Sequence, residues 1–231
     1  MEFKLESHMT RFIQRNRDFS QTKTQLDIIH RHDDAAIEVR KYIADIYLKT
    51  YKATISPCPD VIICSRDVDT KKIVACAGIT FASQHEQLFS ERYLQGSLEP
   101  LIYQHTQQRL YRHQLVEIGA LASDNPNAAA DLIRALPIIA WFMGSMAILC
   151  TSTKRLRKLL DYHQIPFQPI TDASPLSLSE QERQIWGSYY DQSPQTGVIL
   201  LSQCGNLFEH FSGRLMMADF NHMTQASQVA A

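Results

Sequence analysis

The sequence predicts a single domain of α/β class, an α+β mixed sheet flanked by helices, and three observations predict it. The chain has 231 residues, 45% hydrophobic and 20% charged, which suffices for one sizeable core and is too apolar for a disordered chain or a coiled coil. A hairpin pattern stands near strand-helix-strand units, so antiparallel and parallel pairings are expected together. No segment repeats, which removes solenoid and propeller architectures.

The elements follow in order. Residues 1–25 are polar, carry Arg11, Arg15 and Arg17, and read as an N-terminal arm or edge segment. Asp33 and Asp34 suit a helix start, and Ala36, Val39, Ile43, Ile46 and Tyr47 recur at helical spacing to about Tyr51. VIICSR and KIVACAGITFA flank the polar DVDTKK, which is a hairpin pattern. Glu86 to about Leu110 reads as helical with a break at Gly96-Ser97, and Pro100 fits the first turn of its second half. Leu115–Ser123 (LVEIGALAS) is a strand, and Asp124, Asn125 and Asn127 can cap a helix from about Ala128 to Met143. MAILCTS is a strand, TKRLRKLLDYHQ a helix with Leu156, Leu159 and Leu160 on one face, and FQPI a short strand. LSLSEQERQIWGSYYD connects to a last strand, GVILLSQ. The domain is thus expected over 26–203, and 204–231 form an amphipathic tail with Leu207, Phe208, Phe211 and Leu215 at helical spacing.

Composition excludes several classes. Twenty-three basic and 24 acidic side chains give a net charge of -1, with no overall pull toward nucleic acid. The five cysteines, Cys58, Cys64, Cys76, Cys150 and Cys204, include no C-x-x-C pair, so neither a zinc site nor a disulfide scaffold is expected, and no metal site is assigned. Cys64, Cys76 and Cys150 lie in apolar runs and read as reduced thiols; with no signal-peptide pattern at the start, a cytoplasmic address is expected. Ala135–Thr153 is uncharged for 19 residues, long enough to span a bilayer, but Pro137 and Gly144-Ser145 interrupt it. A buried helix, a turn and a buried strand are expected there, and no stable membrane span.

Three features can carry chemistry. Strand alternation places Leu115, Glu117, Gly119 and Leu121 on one face. Glu117 is then a carboxylate among apolar neighbours, where burial raises its pKa toward that of a general base, and Gly119 leaves room for a ligand. The alternative is a Glu paired with an Arg such as Arg112 or hydrogen-bonded at a sheet edge. The strand-loop-helix junction after Ser123 can cradle a phosphate on helix N–H groups, or be an ordinary capped start. WGSYYD sets Trp186, Tyr189 and Tyr190 around a Gly-Ser pair, to line a groove or supply a general acid, or to close the core. Lys154, Arg155, Arg157 and Lys158 form a basic helix start that is either a solvated face or a contact for phosphate or an acidic carrier protein. His30 and His32 lack further ligands. G-x-S-x-G, Walker and G-x-G-x-x-G patterns are all missing.

With these residues in view, the chain resembles the thermostable hemolysin family. The resemblance rests on VEIGALAS (Val116–Ser123), WGSYY (Trp186–Tyr190) and FSERYLQGSLE (Phe89–Glu99), in the same order, over about Ala36 to Gln203. That family is similar to the acyl-CoA N-acyltransferase fold and especially to acyl-homoserine-lactone synthases, which implies a splayed mixed sheet with an acyl thioester between two parted strands. It implies a fatty acyl transfer from coenzyme A or acyl carrier protein to a small amine acceptor, with no tightly bound cofactor. Glu117 would be the base, Tyr189 or Tyr190 the acid, and Gly119, Leu121, Trp186 and Ser188 the acyl groove. The donor's phosphate would meet Ser123, Asn125, Asn127 and Ala128. Here the chain departs from the fold's usual [QR]-x-x-G-x-[GA] loop, reading SDNPNA without glycine, which favours a carrier protein or a differently held thioester. The tyrosine that many such enzymes place in the following helix falls near Leu160. A membrane-active lytic protein, motivated by the uncharged run and the amphipathic tail, and a non-catalytic lipid-binding member of the fold are the competing expectations.

Overall fold

In the computed structural model, which describes residues 11–14, 24–211 and 215–217, one mixed sheet runs through a single α/β domain. Its strands are β1 (Arg11–Gln14), β2 (Thr24–His30), β3 (Val61–Asp67), β4 (Ile73–Phe81), β5 (Leu115–Ser123), β6 (Ala147–Ser152), β7 (Phe167–Asp172), β8 (Gln195–Leu200) and β9 (Leu215–Met217). Their spatial order is β7-β8-β6-β5-β4-β3-β2-β1-β9, and every adjacent pair is antiparallel except β5 with β6. The helices are α1 (Ala35–Tyr51), α2 (Leu98–Thr106), α3 (Pro126–Phe142), α4 (Lys154–Tyr162), α5 (Glu180–Ile185) and α6 (Gly205–Phe211).

Most strands have both faces covered, which is why they read as continuous apolar runs rather than alternating ones. On one face α3 lays Leu132, Ile133, Leu136 and Ile139 against Ile63, Ala77, Ile79, Val116 and Ile148. On the other, α1 sets Ala36, Val39, Ile43 and Tyr47 against Ile62, Cys64, Cys76 and Ala122, and α2 sets Leu98 and Ile102 against Leu115, Ala147 and Leu149. Ile43 and Ile63 are fully buried, so truncating either to Ala is expected to cost about 2–5 kcal/mol.

The uncharged run divides as expected into the end of α3, a turn at Gly144 with φ +86°, and β6. Among the described residues, no helix is long and apolar enough to cross a membrane. Three expectations need revision. β2 was not anticipated: its TQLDIIH carries a buried Asp27, which pairs with Arg66 (3.4 Å) and accepts from Gln25 (2.7 Å), and such polar punctuation hides a strand. The helical stretch from Glu86 is a single 3-10 turn, Phe89–Tyr93, followed by α2 only from Leu98. Of the amphipathic tail, α6 and β9 are described; Leu215, expected at helical spacing, lies instead in β9, paired with β1, and residues 212–214 and 218–231 lie outside the described residues. Of the N-terminal arm, residues 1–10 and 15–23 lie outside them too.

Candidate active site

The site begins where two strands part. β5 and β6 pair only from Leu115 with Ala147 to Glu117 with Leu149, although β5 continues to Ser123 and β6 to Ser152. β6 keeps its antiparallel partner β8 as far as Ser152 with Gln195, while β5 follows β4. Between Cys76–Ala122 and Gly78–Gly119 the β5 side carries one residue more than the β4 side, a bulge at which Ala120 takes φ +51°. The bulge bends β5 away and leaves a notch whose β5 edge has no partner strand from Ile118 onward among the described residues.

The bulge also corrects the expected alternation. Leu121 does not share a face with Glu117: the extra residue turns it to the α3 side with Ile118, while Ala120 and Ala122 face α1. Gly119 sits at the notch itself, where an added Cβ would meet nothing within 4 Å.

Two cavities open from the notch. An apolar one of about 450 Å³ is lined by Leu121, Ile133, Leu136, Cys150, Leu160 and Ile165, with Ser123, Arg155 and Lys158 as polar members. A more polar one of about 520 Å³ is lined by Glu117, Ser90, His85, Arg92, Glu182 and Trp186. Tyr47, Ile118, Gly119, Ala120, Thr151 and Tyr189 line both, so the two meet across the notch.

Glu117 is 7% exposed and borders the polar cavity. Its Oε1 accepts from Ser90 N (2.9 Å) and from the Ser90 hydroxyl, and its Oε2 accepts from Phe89 N (2.9 Å). Burial pushes its carboxyl above the ordinary value; the Ser90 and Phe89 donations pull it partly back, and the nearby Glu91 charge adds to the rise. Arg112 does not serve it, being paired with Glu91 (2.8 Å) and Glu99 (3.5 Å). Three donations leave one of the roughly four lone-pair sites of a carboxylate open. From Glu117 a line of hydroxyls leads to the notch: Ser90 Oγ lies 2.8 Å from Thr151 Oγ1, which lies 2.7 Å from Thr196 Oγ1.

The aromatic segment is locked onto α1. Gly187 has φ +51°, and a Cβ there would stand 2.2 Å from Tyr51 O, so only glycine fits. Ser188 donates to that same carbonyl from its amide (2.7 Å) and its hydroxyl (3.1 Å), and it tethers the segment without lining either cavity. Trp186 lines the polar cavity, with ring centroids 5.3 Å from Phe89 and 5.0 Å from Tyr189. Tyr189 reaches the notch and donates to Thr151 O (3.2 Å), a carbonyl on the splayed part of β6. Burial holds its hydroxyl well above the ordinary tyrosine value, so it stays protonated. Tyr190 sits one step away, its hydroxyl 2.6 Å from that of Tyr93, which lines the polar cavity. At that cavity's rim Arg92 hydrogen-bonds Glu182 and, with Ser179, holds it down to about 2, ionised.

The first turn of α3 satisfies itself. Asn125 Oδ1 accepts from Asn127 N (3.0 Å) and Ala128 N (3.2 Å), and Asn125 O accepts from Ala129 N (2.9 Å). Pro126 has no N–H, so an anion would have to displace the Asn125 side chain. Ser123 Oγ is occupied by Val74 O (2.7 Å) and the Asn125 backbone. Arg155 and Lys158, by contrast, border the apolar cavity directly. Cys150 on its wall is pushed up to about 12 by burial and is no nucleophile. Among the described residues no cluster fits a metal ion, and all five cysteines are free thiols.

Sequence reading missed Ser90, Phe89, Thr151 and Thr196, whose role depends on a sheet register invisible in the chain. Ser90 stands inside FSERYLQGSLE, so that match was its one signal.

The fold has solved counterparts. FeeM, an N-acyl amino acid synthase from uncultured soil microbes, is 10% identical with a TM-score of 0.55, covering 83% of this chain and 98% of its own. The acyl-homoserine-lactone synthase LasI is 10% identical with a TM-score of 0.52, covering 78% and 91%. BjaI, a coenzyme A-dependent acyl-homoserine lactone synthase, is 10% identical with a TM-score of 0.51, covering 83% and 89%. At such identities the likeness is one of fold. No curated protein matches the sequence. A family model does: it takes in residues 29–204, from β2 to just past β8 and so both sides of the notch, and by that match the chain belongs to the thermostable hemolysin family.

Proposed function

We propose that the protein is a cytoplasmic N-acyltransferase that moves a fatty acyl group from a thioester, carried by coenzyme A or acyl carrier protein, to a small amine such as that of an amino acid. One observation carries this reading: an apolar cavity and a polar cavity meet at a notch in the sheet, and a buried carboxylate, Glu117, borders the polar side. An acyl chain suits the first cavity and an amine the second, with the thioester carbonyl at Gly119 between them. Solved proteins of this fold include enzymes named as acyl-homoserine-lactone and N-acyl amino acid synthases, which supports the same reaction class.

The amine nitrogen attacks the thioester carbon, the C–N bond forms, and the C–S bond breaks to release a thiolate. Glu117 takes the surplus proton of the amine, as its raised pKa suits. Tyr189, protonated and at the notch, gives its proton to the thiolate; Tyr190 stands behind it and acts through Tyr93. The unpaired β5 edge from Ile118 offers backbone groups to the carbonyl oxygen that becomes an oxyanion. Leu121 and Gly119 shape the groove, Trp186 walls the amine side, and Ser188 pins that wall. A donor phosphate meets Arg155 and Lys158 with Ser123, Asn125, Asn127 and Ala128 alongside, after Asn125 has turned out of its capping position.

The test is thermal stability with dodecanoyl-CoA and dodecanoyl-acyl carrier protein. A rise in Tm with at least one is expected, and none with either overturns the reading. A second reading, direct membrane lysis, draws on the exposed Trp141 and Phe142 at the end of α3 and Met146 just before β6. Vesicle leakage at the normal rate by Glu117→Gln would favour it.

A further inference from the structure

We infer that Ser90 and Thr151 form a hydroxyl relay that carries the acceptor's proton from the notch to Glu117, so that the base acts at one remove. The inference rests on the acyltransferase reading and concerns how its proton moves. Glu117 has the residual lone pair noted above, but its oxygens are turned into the Phe89–Ser90 turn, and Thr151 is the group in this network that lines both cavities.

The direction of the chain follows from donor arithmetic. A carboxylate only accepts, so the single Ser90 hydroxyl proton goes to Glu117 Oε1. Ser90 Oγ must therefore accept across its 2.8 Å contact, and Thr151 is the donor. Thr151 Oγ1 has then spent its own proton and accepts from Thr196 across 2.7 Å. Thr196 is fully buried and Ser90 is 1% exposed, so water does not compete inside the chain. Tyr189 fixes the other end of the residue by donating to Thr151 O, which holds the β6 backbone at the notch. Thr151 Oγ1 keeps one lone pair, and that lone pair is where an ammonium proton can arrive.

The step balances without a further reactant. As the C–N bond forms, the nitrogen gives a proton to Thr151 Oγ1; Thr151 passes its original proton to Ser90 Oγ, and Ser90 passes its own to Glu117 Oε1. Each hydroxyl ends neutral and Glu117 ends as the acid. The C–S electron pair leaves with sulfur, which takes the proton of Tyr189; Glu117 then gives its proton to solvent and solvent restores the one on Tyr189, so that thioester plus amine become amide plus thiol.

The experiment follows thiol release from dodecanoyl-CoA and dodecanoyl-acyl carrier protein, with a mixture of the common amino acids as acceptor, in wild type, Thr151→Val, Thr151→Ser, Ser90→Ala and the Ser90→Ala/Thr151→Val double variant. Thr151→Val is expected to lose about a hundredfold in kcat/KM, the usual size of a general-base contribution, while Thr151→Ser stays within about threefold. The rise of kcat/KM with pH should flatten in Thr151→Val, since the base is disconnected, and the double variant should be no slower than the worse single one, as for parts of one chain. Thr151→Val with wild-type rate and pH profile overturns the relay while leaving the acyltransferase reading intact. Equal losses in Thr151→Val and Thr151→Ser overturn it too, as a packing effect. Wild type without any thiol release sinks the parent reading and the relay with it.

Discussion

Replacing Glu117 by Gln tests the carboxylate as both a hydrogen-bond anchor and a base. The charged group accepts from Ser90 N, the Ser90 hydroxyl and Phe89 N, the first two on one oxygen. A Gln with its carbonyl oxygen toward Ser90 keeps two of these and turns its NH₂ on the Phe89 amide, which then lacks an acceptor. One buried donor left unpaired costs about 1–3 kcal/mol, and removal of a buried charge offsets part of it. A net loss of about 1–2 kcal/mol lowers Tm by about 2–8 °C in a chain of this size, well short of unfolding it. Activity should fall much further, about 10²–10⁴-fold. Calorimetry on wild type and Glu117→Gln, paired with thiol release from the two dodecanoyl thioesters, reads both quantities. Turnover within twofold of wild type in the Gln variant refutes the base, and an unchanged Tm refutes the anchoring geometry.

Four further outcomes follow from the same geometry. kcat/KM should rise as pH climbs through Glu117's raised value, because the base must be ionised; stability should fall over that window, because the native state there binds more protons than the unfolded chain, and Glu117→Gln should remove both trends in pH titrations of rate and Tm. Gly119→Val has room for its side chain but fills the notch, so Tm should hold within about 2 °C while dodecanoyl turnover drops at least about tenfold; retained turnover would place the acyl group elsewhere. Gly187→Ala collides with Tyr51 O at positive φ and should lose about 2–4 kcal/mol, seen as a Tm lower by about 4–16 °C. Arg155→Glu with Lys158→Glu should raise the donor KM about tenfold at low salt and much less at 1 M, where charges are screened over about 3 Å.

Much of this architecture was legible in the chain, because long apolar runs such as VIICSR and AILCTS need two covered faces, and α1 shows a regular apolar stripe. β2 was not, since Asp27 and Gln25 break its pattern and only Arg66, far along the chain on β3, explains a buried Asp there. For the site, Glu117 and Trp186 stood out as a charge in an apolar strand and an aromatic in a polar connection. The bulge at Ala120 escaped notice because an Ala at φ +51° leaves no mark in composition, and it moved Leu121 to the opposite face. Ser90, Thr151 and Thr196 come from three distant segments, and only the 3-10 turn at Phe89 and the register of β6 with β8 bring their hydroxyls together. The phosphate-loop expectation met a chemical detail that the letters SDNPNA already contain: Asn125 caps the amides that a phosphate would use.

The central claim is that a fatty acyl group crosses the β5–β6 notch onto an amine. Mass spectra of small molecules extracted from cells expressing wild type, set against cells expressing Glu117→Gln at equal folded protein, test it most directly. An N-acyl amine that appears with wild type and is missing with the variant is the predicted result. The same N-acyl profile in both, with thioester donors undepleted, would contradict it.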